Sequence, residues 1–257
     1  MRIDLLFSPQ QTDELALRDK KVVVIDVLRA STSIITALKN GAREIIPVTT
    51  VGLAVKASPS LFGDAILRGG ERNGKIIEGF NLCNSPAEYT EERVKGRGII
   101  FSSTNGSFAM DRARYARELA VCGFVNLTMG VHFLRDNPED ALLMCAGKNG
   151  LFCIEDAVCA GMLIQRVMES GNIDVDLSDG ALAAVVLHKR FGKSIRRMLR
   201  TSEHGRYLID IGFGDDLALC AGVDTIPVLP QLVGNVIRLK TETERAEQTR
   251  PQVSQQA

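Results

Sequence analysis

Short apolar runs alternate with amphipathic stretches through about residue 150. The apolar runs are residues 2–7, 21–26, 43–48, 64–69, 98–103, 118–123 and 140–147. Each is short, and several are rich in β-branched residues, as strands are. Between several of them lie helical patterns, over 31–39, 107–117 and 126–135. That alternation predicts an α/β fold, three-layer α/β/α with a largely parallel or mixed sheet.

The second half is more helical. Residues 153–170 place Ile154, Ala157, Val158, Gly161, Met162 and Val167 at helical spacing. Further helices are expected over 178–199 and 202–209, with late strands at 225–229 and 235–239. No linker separates the halves, so residues 1–239 read as one α/β catalytic domain, with room for two lobes of about 1–150 and 151–239. Residues 240–257 are polar and aperiodic and read as a disordered tail.

Composition narrows the function classes. The 257 residues include 31 basic and 31 acidic side chains, a formal net charge of +0. Long-range attraction to nucleic acid or an anionic membrane is therefore not expected. Apolar runs fall short of the roughly 18 residues a membrane span needs. The opening MRIDLLFSPQQ is too short and charged for a signal peptide. None of the 6 cysteines forms a CxxC pair, which suits reduced, buried thiols in a cytoplasmic protein.

Candidate chemistry collects just after three strands, where open α/β sheets bind ligands. If those strands are parallel, the three loops share one edge. The first loop is DVLRASTS, from Asp26 to Ser33. A helix starting near Ser31 exposes unpaired N–H groups and the positive end of its dipole, an anion site. Arg29 adds a planar fork suited to phosphate or sulfonate. Asp26 would repel that anion, so it reads as a ligand for a bridging divalent cation or as a base. The competing reading is structural, with Ser31 as a cap and Asp26–Arg29 as an ion pair. The second loop, Ser103–Ser107, offers Thr104, Asn105 and Gly106 as anion-binding backbone, or a plain turn. The third runs from Ala146 to Asp156.

Two glycine-rich stretches, GGERNG and GFNLCNSPAEY, form a long region of little periodicity. Glu71 there is a carboxylate able to reach a metal, unless the stretch is a solvated hairpin tip. Asn84, Ser85 and Pro86 suit the start of a short helix. Glu155 and Asp156 fall in a first helical turn, where acids are favoured anyway. They point about 100° apart, so one is expected to face the site and the other water. Asp215 and Asp216 follow a glycine turn as further metal ligands or a solvated loop. His204, the one histidine in a glycine-flanked polar setting, reads as a surface or capping residue, with a catalytic role as the alternative. Several classes are excluded. Lys148 is followed by Asn149, so AGKNG is not a phosphate-binding P-loop. GxGxxG and GxSxG do not occur, and the 3 histidines lack zinc spacing.

Taken in order, IDVLRASTSI, GGERNG, GFNLCNSP, STNGS, CAGKNGLFCIED and GDDLALCA resemble the 2-phosphosulfolactate phosphatase family over roughly residues 3–230. The resemblance implies a Mg²⁺-dependent acid phosphatase of coenzyme M biosynthesis, releasing 3-sulfolactate and phosphate. It marks Asp26, Arg29, Ser31, Thr32, Glu71, Asn81, Asn84, Ser85, Pro86, Thr104, Asn105, Gly106, Asn126, Ala146, Gly147, Glu155, Asp156 and Asp215. From residue chemistry and resemblance together, Asp26, Arg29 and Glu71 are expected to be catalytic. Mg²⁺ is expected on Asp26 together with Glu71, Glu155 or Asp156. Ser31, Thr32, Asn84, Ser85, Thr104, Asn105, Gly106 and Gly147 are expected to bind a small substrate with phosphate plus sulfonate or carboxylate. Attack by water and a covalent step through Asp26 stay open. So do another small organic phosphate and a non-catalytic anion binder. A homodimer is the base-rate expectation.

Overall fold

Among the described residues of the computed structural model, eleven strands form one sheet and helices cover both its faces. The structure describes residues 1–56, 66–171, 173–241 and 244. The expected strand 64–69 begins outside the described residues, and so does nearly all of the expected tail. The strands are β1 (Arg2–Leu6), β2 (Lys21–Ile25), β3 (Glu44–Pro47), β4 (Ile66–Arg72), β5 (Lys75–Ile76), β6 (Gly98–Ser102), β7 (Glu118–Cys122), β8 (Ala141–Cys145), β9 (Asp176–Leu177), β10 (Pro230–Val233) and β11 (Val236–Leu239). Helices are α1 (Ala30–Lys39), α2 (Val51–Lys56), α3 (Glu91–Val94), α4 (Gly106–Arg112), α5 (Leu127–Arg135), α6 (Ile154–Glu169), α7 (Asp179–Phe191), α8 (Ile195–Thr201), α9 (Glu203–Asp210) and α10 (Asp216–Cys220).

The sheet order is β5-β4-β6-β3-β11-β10-β7-β2-β8-β1-β9. It consists of two parallel wings, β7-β2-β8-β1-β9 and β4-β6-β3, joined by the antiparallel hairpin β10–β11. β10 opposes β7, β11 opposes β10, and β3 opposes β11. Three reversals leave the two wings running in opposite senses. The sheet is mixed, and the condition for three loops on one edge is met by β2 and β8 but not by β6. The right-handed twist of roughly 20–25° per strand step accumulates to about 100° or more from β2 to β6. The loop after β6 reaches the loop after β2, where Gly106 packs against Asp26 and Ala30.

Packing follows strand alternation. Val22 and Val24 of β2 face a core shared with Ile99 and Phe101 of the other wing, Ile34 and Leu38 of α1, and Met110 of α4. Val23 and Ile25 face a second core with Val158 and Leu163 of α6 and Ala184 of α7. Thus α1 and α4 lie in the crease between the wings. Burying each Ile or Leu side chain there is worth about 1.5–3 kcal/mol. α1 stops at Asn40, followed by Gly41 with φ +88°, a left-handed conformation that glycine adopts without steric cost.

Other boundaries moved. The expected helix 178–199 breaks at Gly192–Ser194 into α7 and α8, and 107–117 shortens to α4. The expected strand at 225–229 is irregular. Pro227 lacks an N–H, and the Val228 amide turns back to the Ile226 carbonyl. Pairing starts instead at Pro230. All six cysteines are free and buried, as expected. Among the described residues, no helix is long and apolar enough to cross a membrane.

Candidate active site

Three loops and a helix converge beyond the carboxyl end of β2. Asp26, the first residue after the strand, is 5% exposed. Its carbonyl accepts the Ser31 N–H at 2.9 Å, and its Oδ1 accepts the Ala30 N–H at 3.2 Å. The Asp26 N–H donates in turn to Ser31 Oγ at 2.9 Å. Asp26 therefore meets the first two amides of α1, Ala30 through its carboxylate and Ser31 through its backbone carbonyl. Thr32 Oγ1 donates to the Val27 carbonyl at 3.1 Å, so both hydroxyls serve the backbone. Asp26 Oδ2 has no hydrogen-bond partner among the described residues.

The second loop locks onto Glu71. GGERNG is the end of β4 and the turn into β5, a hairpin tip as one reading expected. Asn73 and Gly74, with φ +51° and +71°, form its two-residue turn. Asn73 and Lys75 at this tip are exposed, but Glu71 is buried, at 7% exposure. Its Oε1 accepts the Thr104 N–H at 2.6 Å, and its Oε2 accepts the Gly74 N–H at 2.8 Å and the Thr104 hydroxyl at 3.2 Å. Gly106 packs against Asp26 so closely that an added Cβ would sit 2.7 Å from Asp26 Oδ2. Asn105 Oδ1 accepts the Asn149 N–H at 2.9 Å, which ties the second loop to the third.

Glu155 and Asp156 are both buried, at 1% and 2% exposure, which corrects the expectation that one faces water. Asp156 reaches back and accepts the Val27 N–H at 2.8 Å and the Gly147 N–H at 3.1 Å. Glu155 accepts no hydrogen bond among the described residues, and its Oε1 is fully buried. His204 Nδ1, from α9, lies 3.3 Å from that oxygen. His204 thus stands beside the carboxylates, in line with the second of its two readings rather than the first.

The carboxyl groups repel one another. Burial pushes Asp26 up to about 6, opposed by His204 and the Ala30 amide and reinforced by Glu71 and Glu155. Burial raises Asp156 well above the usual carboxylate range, and the Asp26 and Glu155 charges add to the rise.

The guanidinium of Arg29 is 1% exposed and turns away from Asp26. It donates to Asp216 Oδ2 at 2.7 Å and to the Gly74 carbonyl at 2.6 Å, and stacks 4.3 Å from the centre of the Phe213 ring. Ser85 Oγ donates to the other Asp216 oxygen at 2.6 Å. The ion pair weighed for Asp26 and Arg29 is therefore made with Asp216. Arg72 is likewise held, by Glu71 O, Thr49 O and Ser102 Oγ. Asn84 gives its carbonyl to Ser33 Oγ at 2.8 Å, while its own Oδ1 is buried without a partner among the described residues. Asn81 and Asn126 serve backbone groups. Asp215 is exposed at the start of α10, and its neighbour Asp216 is the buried one. The doublet GDD carried that signal without saying which carboxylate turns inward.

The donor set suits a hard divalent cation. Asp26 and Glu155 keep oxygens without donors, whereas both oxygens of Glu71 and of Asp156 are taken by N–H groups. Among the described residues, no three His, Cys, Asp or Glu side chains are gathered into a metal cage. Mg²⁺ commonly binds through one or two carboxylates plus water and substrate phosphate, so two free carboxylates fit it.

Comparison with known proteins gives one consistent picture. The family model described as 2-phosphosulpholactate phosphatase matches residues 6–235. A protein of Thermotoga maritima named probable 2-phosphosulfolactate phosphatase is 37% identical over 238 residues, covering 93% of this chain and 98% of its own. Proteins of the same name from Caldanaerobacter subterraneus (36% over 222 residues, 86% of this chain and 91% of that one) and Symbiobacterium thermophilum (38% over 225 residues, 87% and 96%) are similar.

Proposed function

The chain belongs to the 2-phosphosulfolactate phosphatase family, and from that premise we propose that it hydrolyses 2-phospho-3-sulfolactate to 3-sulfolactate and phosphate with Mg²⁺. Such a substrate carries phosphate, sulfonate and carboxylate; on this reading the enzyme serves coenzyme M biosynthesis in the cytoplasm.

One observation carries the mechanism: the unequal state of four neighbouring carboxylates. Asp26 and Glu155, the pair with oxygens left open, would hold the cation. Glu71 and Asp156 instead clamp the loops, the first holding Thr104 and Gly74, the second holding Val27 and Gly147. When bound, Mg²⁺ supplies the positive charge that phosphoryl transfer requires, where neutralisation and positioning dominate. The protein's contribution is a dry, fixed cradle: Asp26 is set by its bonds to the first two amides of α1, and Gly106 lets the second loop approach it closely. Arg29 acts here by holding Gly74, and through it Glu71, in place.

The test is phosphate release from racemic 2-phospho-3-sulfolactate with and without Mg²⁺. Asp26→Asn and Glu155→Gln are expected to weaken Mg²⁺ binding, read by calorimetry, and to abolish release. Full magnesium-dependent turnover by either folded variant would show that the pair does not hold the cation.

A further inference from the structure

A substrate with a sulfonate and a carboxylate beside its phosphate needs a cation for that second anionic end. Two arginines of the site are already engaged. Arg29 is buried on Asp216 and Gly74 O, and Arg72 is held by three oxygen acceptors. Lys148 differs. Its side chain is 22% exposed, and its ammonium donates to Glu203 Oε1 at 2.8 Å. Glu203 is 82% exposed, so this pair is solvated, and such pairs hold weakly.

Lys148 also stands at the mouth of the site. On one side Gly147 donates to Asp156, and on the other Asn149 donates to Asn105. Its ammonium lies 5.4 Å from the centre of the Tyr207 ring. The Tyr207 hydroxyl donates to Asn73 O at 2.8 Å, in the turn that carries Gly74. Glu203 precedes His204, which sits 3.3 Å from Glu155. The surroundings of this ammonium thus connect to all three carboxylates: to Asp156 through Gly147, to Glu155 through His204, and to Glu71 through the Asn73–Gly74 turn. Asp26 and Glu155 lie deeper, at 5% and 1% exposure.

We propose that Lys148 is a specificity-determining residue that leaves Glu203 to hold the sulfonate or carboxylate of the substrate, while the phosphate sits deeper, toward the cation that Asp26 and Glu155 would hold. The observation behind it is the juxtaposition of a weakly paired ammonium with a site whose arginines are locked away. The inference rests on the phosphatase reading above. A flexible point charge with three donors suits this exchange better than a fixed fork.

The experiment measures binding of 3-sulfolactate and of inorganic phosphate by calorimetry, for wild type, Lys148→Gln and Glu203→Gln, each with Mg²⁺. Loss of one charge-assisted hydrogen bond corresponds to about tenfold or more. Lys148→Gln is expected to weaken 3-sulfolactate by at least about that factor and phosphate by clearly less. Glu203→Gln removes the competitor and is expected to tighten 3-sulfolactate. Thermal melting shows whether the variants fold. An equal loss for both ligands, or none for 3-sulfolactate, overturns the inference while wild-type turnover leaves the phosphatase reading standing. A wild type that neither binds 3-sulfolactate nor releases phosphate removes both.

Discussion

Arg29 Nη1 lies 2.7 Å from Asp216 Oδ2 across a separation of 187 residues, and both side chains are almost out of solvent. The pair pins α10 to the mouth of α1, and Ser85 and Gly74 complete its hydrogen bonds. A buried pair of this kind adds little stability over an apolar replacement, but breaking it leaves a bare charge inside. Asp216→Ala is therefore expected to cost about 3–5 kcal/mol in urea unfolding. The double variant Arg29→Met/Asp216→Leu is expected to recover much of that loss. A single-variant cost near zero would mean that the guanidinium finds other acceptors or water.

Gly106 is a position where size alone decides. A Cβ there would stand 2.6 Å from Ala30 Cβ, 2.7 Å from Asp26 Oδ2 and 3.2 Å from Ser103 Oγ. All three neighbours are buried, so they have little room to yield. Gly106→Ala is expected to cost about 1–3 kcal/mol and to displace Asp26, with a fall in kcat measured by phosphate release. Unchanged kcat would place the reacting groups away from this contact.

Glu71 holds two N–H donors and a hydroxyl with its two oxygens. Glu71→Gln substitutes an amide NH₂ for one acceptor and faces it with a donor. A loss of about 1–3 kcal/mol is expected in thermal or urea unfolding, because a buried donor is left unpaired. Equal stability of variant and wild type would show that the Thr104 loop is not anchored by this carboxylate.

Far from the site, Asp224 provides a pH test. Burial works against its charge, but Arg166 at 2.5 Å and the Thr128 N–H at 2.6 Å hold the carboxyl below its ordinary value of 3.8. The folded value lies below the unfolded one. This contribution is thus complete above about 4 and disappears as pH falls through the folded value. Asp224→Asn keeps a side-chain oxygen to accept the Thr128 N–H and tolerates the φ of +54° at this position. The stability gap between wild type and variant is expected to shrink as pH drops from about 6 towards 2. A gap that stays constant across that range would mean that the ion pair contributes nothing.

Local chemistry made part of this protein readable from its residues. β2 is a β-branched run, and Asp26 and Ser31 at its end meet through bonds five residues apart or fewer. The start of α1, the Asn73–Gly74 turn and the helical spacing of α6 depend on neighbours along the chain in the same way. The ordered motifs placed the chain in its family for that reason too.

Long-range packing decided the rest. The opposed wings depend on where the hairpin β10–β11 inserts, through bridges at Ala120 and Ile45 that no local pattern encodes. Which of Asp215 and Asp216 turns inward is set by Arg29, and His204 reaches Glu155 only because α9 lies over the third loop. The division of labour among Asp26, Glu71, Glu155 and Asp156 has the same origin. Sequence identifies all four as acids, but which oxygens meet N–H donors depends on how loops from separate strands meet. That meeting is set by the shared core around α1 and α4.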